Sequence, residues 1–175
     1  MVDEPQENNY TVTCASCGKE TLNVKELYSA IPRFGRVVVI SMLCSNCGYR
    51  VFDILSLEDR GPSKIEFKVN DLKDLSARVI RSSSSTLTIP ELGLELKPGD
   101  KSEGFITNIE GVLVRFLAFA EQLYQSVEPE EKEGAMASIE KIKLAMEGNV
   151  PFTVIIEDEY GNSAILPPEE GGSPP

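Results

Sequence analysis

Apolar and polar residues alternate in Ile65-Glu66-Phe67-Lys68-Val69, the period-two pattern of a strand with one face buried. Residues 36–43, with Val37-Val38-Val39-Ile40 at their centre, form a short apolar run that predicts a buried strand. Further short strands are predicted at 10–13, 79–80, 87–89 and 92–96. They are punctuated by the serine run 82–85, by Pro90 and by the turn Pro98-Gly99-Asp100. Short strands spaced in this way predict an antiparallel sandwich or barrel.

The period then changes to that of a helix. Thr107-Asn108-Ile109-Glu110 reads as a capping box, with Thr107 as N-cap and Glu110 three residues on. Ile109, Val112, Leu113, Phe116, Ala120, Leu123 and Tyr124 follow at helical spacing. Val114, Leu117 and Phe119 widen the stripe, leaving Arg115, Glu121 and Gln122 as its strongly polar positions. Such a helix wants burial on more than one side, either against the barrel and a second helix or as a groove for a partner. Residues 128–134 form an acidic breaking loop. A second helix over 135–147 places Met136, Ile139, Ile142 and Met146 on one face and ends at Gly148, a C-cap. Residues 151–156 return to strand, 157–162 turn the chain and 164–166 add a last strand. The helices therefore form a hairpin, about 107–148, inserted between strands. The ends, 1–9 and 167–175, read as disordered.

Composition limits what this fold can do. The chain has 175 residues, enough for one ordinary domain or a small metal module plus a modest core. It has no apolar run long enough to span a membrane, and its polar, acidic amino terminus has no signal-peptide h-region, so a cytosolic protein is expected. There is no histidine, which removes imidazole bases, Ser-His and Cys-His nucleophile pairs, and imidazole metal ligands.

The net charge of −11 is unevenly spread. Between Cys14 and Arg81 there are 11 Lys/Arg against 8 Asp/Glu, whereas from Ser82 onward there are 6 against 17. The acidic half repels a phosphate backbone, so general nucleic-acid binding is disfavoured and a basic protein partner suits that half better. A merely solvated acidic surface accounts equally well for any single carboxylate.

The four cysteines carry the chemistry. Cys14-Ala15-Ser16-Cys17-Gly18 and Cys44-Ser45-Asn46-Cys47-Gly48 are two matched CxxCG turns, and together they use every cysteine in the chain. The pattern suits one tetrahedral metal ion, since each turn offers two thiolates and each glycine can take the left-handed conformation that aims N–H groups at sulfur. The 19–43 segment is long enough for a hairpin that brings the second turn back to the first. Paired disulfides would need an oxidising compartment, and a redox CxxC usually comes singly at a helix start. Zinc is the expected ion, with iron the rival that the same ligands suit. Four thiolates leave no open coordination position, so the site is structural.

The cysteine pair, Ile31-Pro32-Arg33-Phe34 and Cys47-Gly48-Tyr49-Arg50 resemble the ZPR-type zinc-finger family. The likeness continues through residues 74–82, 89–92 and 105–111 to Pro151-Phe152-Thr153 and Gly161-Asn162-Ser163. It implies a mainly β fold with an inserted helical hairpin. A four-cysteine zinc ribbon (10–57), of the kind seen in translation initiation factors, precedes a double-stranded β-helix, or jelly-roll-like, domain (63–166). A single copy of this module resembles the archaeal form. The family is associated with binding translation elongation factor 1-alpha and helping that GTPase fold. The turn at 157–162 departs from the family, which usually has paired Asp followed by Pro there.

Two functional classes follow. In the first, the chain is a non-enzymatic interaction protein for the elongation factor. Ile31, Pro32 and Phe34 are then candidate contacts, unless they close the ribbon's own core. In the second, Lys19, Lys25, Arg33, Arg36 and Arg50 contact RNA or ribosome phosphates. An enzyme ranks last, because cupin-like metal sites need histidines and a carboxylate pair such as Glu157/Asp158 in a turn is usually only solvated.

Overall fold

A computed structural model describes residues 5–99 and 102–168. The first four strands, β1 (Gln6–Thr13), β2 (Glu20–Ile31), β3 (Gly35–Cys44) and β4 (Arg50–Ser56), pair antiparallel in sequence order as one meander. The rest of the chain supplies β5 (Ser63–Val69), β6 (Arg78–Arg81), β7 (Thr86–Ile89), β8 (Leu94–Leu96), β9 (Phe105–Asn108), β10 (Phe152–Asp158) and β11 (Ala164–Leu166). These form two further antiparallel sheets, ordered β5-β10-β7-β8 and β11-β6-β9. Helices α1 (Ile109–Ser126) and α2 (Lys132–Met146) connect β9 to β10, so the helical hairpin is inserted between strands as the pattern predicts.

The pairing explains the pattern. In β5 the apolar set Ile65, Phe67 and Val69 lies opposite Ile156, Val154 and Phe152 of β10, so one face of each strand is apolar and turned to the core. That core gathers Val79, Leu87, Ile89, Val154 and Ile156 from the sheets with Ile109, Leu113 and Ile142 from the helices, all without solvent exposure. The core-packing reading of the helical stripe therefore holds for its inner face.

Several boundaries differ from the pattern. The first strand starts at Gln6, because Gln6–Asn9 pair with Tyr28–Lys25 of β2 and Glu7 sits 2.8 Å from Lys25. The disorder expected over 1–9 is thus corrected for Gln6–Asn9, while residues 1–4 and 169–175 of the expected tails lie outside the described residues, as does Asp100 of the expected turn. The strand expected at 92–96 is shortened to Leu94–Leu96, because Pro90–Leu92 form a 3-10 turn closed by Gly93 in the left-handed conformation. The second helix begins at Lys132 rather than Ala135. It ends as expected at Gly148, whose φ of 73° lets its N–H reach Ala145 O and the next N–H reach Leu144 O, a Schellman closure.

The capping box is also displaced. Thr107 is held in the β6–β9 ladder opposite Val79, so the chain leaves the strand one residue later. Asn108 is the N-cap and its Oδ1 accepts the Gly111 N–H at 2.8 Å, which puts Glu110 at the second helical position. Gly111 is required there because a Cβ would strike the Thr107 side chain. Replacing Asn108 with Ala leaves that N–H unpaired. The expected loss is about 1 kcal/mol in urea unfolding, and an unchanged midpoint would refute the assignment.

Candidate metal centre

The two CxxCG turns have the same local geometry. In the first, the Cys14 N–H donates to Lys19 O and the Gly18 N–H to Cys14 O, both at 2.8 Å. In the second, the Cys44 N–H donates to Tyr49 O at 2.8 Å and the Gly48 N–H to Cys44 O at 3.0 Å. Gly18 and Gly48 take φ of 71° and 74°, the left-handed conformation that a side chain would strain. The β2–β3 hairpin sets the turns face to face, with Leu22 opposite Cys44 and Leu22, Val24, Met42 and Ile40 packed beneath the sulfurs. Lys19 Nζ donates to Asn46 Oδ1 at 2.9 Å and ties one turn to the other.

All four Sγ atoms lie within 4.8 Å of one another. Cys14 and Cys47 are 3.8 Å apart and Cys17 and Cys44 3.7 Å. Metal–sulfur bonds of ~2.3 Å at tetrahedral angles place ligand sulfurs about 3.8 Å apart, so the donor set fits the ion. The same distances are far too long for disulfides, and all four thiols are free.

The electrostatics agree. A hydrogen bond with the Thr21 hydroxyl, 3.2 Å away, is the largest influence on Cys44 and outweighs desolvation; with support from the Cys47 and Asn46 amides it brings the pKa down to about 6. The Lys19 amide lowers Cys17. Cys47 gains most from the Tyr49 amide, yet desolvation and its three sulfur neighbours together push it up to about 11. Four sulfurs this close cannot all be thiolates without a cation among them, and a divalent ion removes that conflict. Thr21 carries no motif signal, since a lone threonine in a strand is usually only a β-former.

The remaining candidates fall elsewhere. Ile31-Pro32-Arg33-Phe34 is a tight turn between β2 and β3, closed by the Phe34 N–H donating to Ile31 O at 3.0 Å. Pro32 is exposed and Ile31 half-buried, but Phe34 is only 3% exposed. Phe34 packs with Val37 and Ile54 of the ribbon and with Ile80 and Ala164 of the second unit, and Arg60 stacks on its ring at 4.5 Å. Its role as a surface contact is therefore corrected: the ring fills the seam between the two units. Arg33 is the one non-glycine residue with positive φ (67°) among those described, at a cost of ~1–2 kcal/mol. Four of the five basic candidates already have partners: Lys19 is held by Asn46, Lys25 by Glu7, Arg50 by Glu103 and Arg33 by Pro167 O.

A polar cluster crosses the same seam. Arg81, 1% exposed, donates to Glu103 O at 2.9 Å, Ser85 O at 2.7 Å and Ser102 Oγ at 3.3 Å. Burial lowers its pKa, opposed by the charges of Asp53 and Asp158. Asp53 of β4 accepts from the Ser83 N–H at 2.8 Å and from its hydroxyl. Asp158 accepts from Ser82 Oγ at 2.8 Å and Ser163 Oγ at 2.5 Å, and Asn162 Oδ1 accepts from the Ser56 N–H at 2.8 Å. Asp158 is thus buried in a hydrogen-bonded network rather than solvated in a turn. Gly104 closes the cluster, donating to Phe52 O at 2.8 Å where a Cβ would meet Asp53 and the Arg81 carbonyl.

Comparison with known proteins gives this arrangement a family. Residues 8–57 match the ZPR1 zinc-finger domain and residues 73–174 the ZPR1 jelly-roll domain. A ZPR1-like protein of Methanocaldococcus jannaschii is 41% identical over 91% of this chain and 82% of its own length. One of Pyrococcus horikoshii is 40% identical over 87% of this chain and 71% of its own. The zinc finger chaperone zpr1 of Schizosaccharomyces pombe is 36% identical over 87% of this chain, which spans 33% of that longer protein. The thiolate cluster is accordingly a zinc site, and iron is set aside. With both its zinc ribbon and its jelly-roll domain matched in order, the chain belongs to the ZPR1 family and aligns with archaeal relatives over most of their length.

Proposed function

We propose that this chain is a non-enzymatic, cytoplasmic binding factor that helps translation elongation factor 1-alpha reach its folded state. The observation that carries the proposal is the seam. Phe34, Val37 and Ile54 share one core with Ile80 and Ala164, so ribbon and jelly-roll offer a partner one continuous, rigid surface. The helical hairpin carries further exposed apolar residues. Phe119 is 67% exposed, and Val114, Leu123, Met136 and Leu144 are exposed as well. Exposed apolar side chains are the usual material of a protein contact. The name chaperone carried by the fission yeast relative supports the same reading. Of the three turn candidates, Pro32 is exposed and Ile31 half-buried, and we keep both as candidate contacts.

The test is co-purification. Tagged protein is expected to retain elongation factor 1-alpha from cell extract, and Phe119→Asp to lower the retained amount at least tenfold with zinc content unchanged. Absence of the elongation factor from the retained material, with or without added nucleotide, would overturn the proposal.

A further inference from the structure

Two sequence motifs with no role so far meet at one place. Pro32 and Arg33, from the β2–β3 turn, face Lys73 and Arg78, from the segment entering β6, across a cleft of about 310 Å3 walled by Leu166 and Pro167. Three cations line this cleft, and no acidic residue does among the described residues. None of the three is in an ion pair among the described residues, whereas Lys25, Arg50, Arg60, Lys64, Lys97 and Lys143 each are. In a chain of net charge −11, three cations around one hollow, with no acidic partner among the described residues, mark a local exception.

The backbone makes Arg33 stand out further. A turn with proline at its second position and positive φ at its third is of type II, and its third position ordinarily belongs to glycine. Arginine occupies it here at φ 67°. The guanidinium is then pinned by Nη1, which donates to Pro167 O at 2.8 Å, leaving the rest of the fork directed to other acceptors. Ser76, also in the lining, gives its hydroxyl proton to Lys73 O at 2.7 Å, so the charged side chains supply the donors.

We infer that this cleft binds a phosphate group of a small ligand, either free phosphate or the terminal phosphate of a nucleotide, through Arg33, Lys73 and Arg78. A phosphate dianion balances three cations better than a single carboxylate does, and it matches the guanidinium fork of either arginine. The proline and leucine walls limit the space to a small group.

Titration calorimetry of the full zinc-loaded chain at low ionic strength tests the inference with inorganic phosphate and with a nucleoside diphosphate as probes. One saturable site is expected. A tighter nucleoside diphosphate identifies the nucleotide as the source, and equal or tighter inorganic phosphate the free ion. Lys73→Ala and Arg78→Ala are each expected to weaken binding about tenfold, as loss of one charge-assisted contact does. Arg33→Gly is the decisive variant. It gives the turn the residue its backbone favours, so the melting temperature is expected to hold or rise while binding falls about tenfold or more. No saturable binding by the unsubstituted chain would overturn the inference, as would unchanged binding in Arg33→Gly or equal competition by acetate. RNA binding that phosphate does not displace would also overturn it, in favour of a nucleic-acid track. Retention of the elongation factor is a separate measurement, so either proposal can fail alone.

Discussion

Cys44→Ser is expected to abolish zinc retention and to unfold the ribbon. Structural zinc contributes ~10–16 kcal/mol of apparent binding free energy in small modules, more than a ribbon of this size draws from apolar burial. The side chains packed beneath the sulfurs are few, mainly Leu22, Val24, Ile40 and Met42. Cys44 is itself the buried thiol whose ionisation Thr21 favours, so its loss removes both a ligand and part of that small core. The jelly-roll, with its own core around Val79, Leu87, Ile109 and Val154, is expected to survive. The seam changes that expectation in one respect: an unfolded ribbon withdraws Phe34, Val37 and Ile54, exposing Ile80 and Ala164, and releases the Asp53 bonds to Ser83. The jelly-roll should persist, with a lower melting temperature than in the intact chain. Zinc analysis with thermal unfolding followed by circular dichroism decides it. Stoichiometric zinc with an unchanged melting profile in Cys44→Ser would show that the ligand assignment is wrong.

Arg81→Met is expected to cost ~3–5 kcal/mol with zinc still bound, because it breaks a buried charged network rather than a surface pair. The Glu103 and Ser85 carbonyls lose their donors, and Asp53 and Asp158 lose the cation whose charge offsets theirs. At about 2–4 °C per kcal/mol for a chain of this size, the midpoint should fall by ~10 °C. Arg81→Lys keeps the charge without the fork that spans three acceptors, so it should fall between Met and the unsubstituted chain. Urea unfolding at saturating zinc measures both. A loss below ~1 kcal/mol for Arg81→Met would mean that the network contributes only polar satisfaction and does not hold the seam.

The metal centre was legible in the sequence because its information is local. Two CxxCG turns fix ligand identity, ligand count and the left-handed glycines within five residues each. Alternation in 65–69 and the helical stripe of 109–124 were legible for the same reason, since burial of one face imposes its period directly on the chain. The strands β2 and β4 gave weaker signals. Polar residues such as Glu26, Asn23 and Asp53 interrupt their apolar pattern, and their pairing with β1 and β3 is what holds them extended. Thr107 satisfied the capping pattern but was claimed by a sheet ladder, so the neighbouring asparagine took the cap.

Taken alone, the sequence determined the four-cysteine ligand set, the order of the two units, the inserted helical hairpin and the likeness to the family, all of which rest on residues close together in the chain or on motifs in a fixed order. Only the tertiary structure decided that Phe34 is core, that Arg81 is a buried cation of the second unit acting on Asp53 of the ribbon through its charge, and that Arg33, Lys73 and Arg78 line one cleft. Those facts depend on pairs such as Phe34 with Ala164, or Arg33 with Pro167, that lie more than a hundred residues apart. Burial and charge compensation arise from the surroundings a side chain meets after folding, and no local pattern in the chain encodes them.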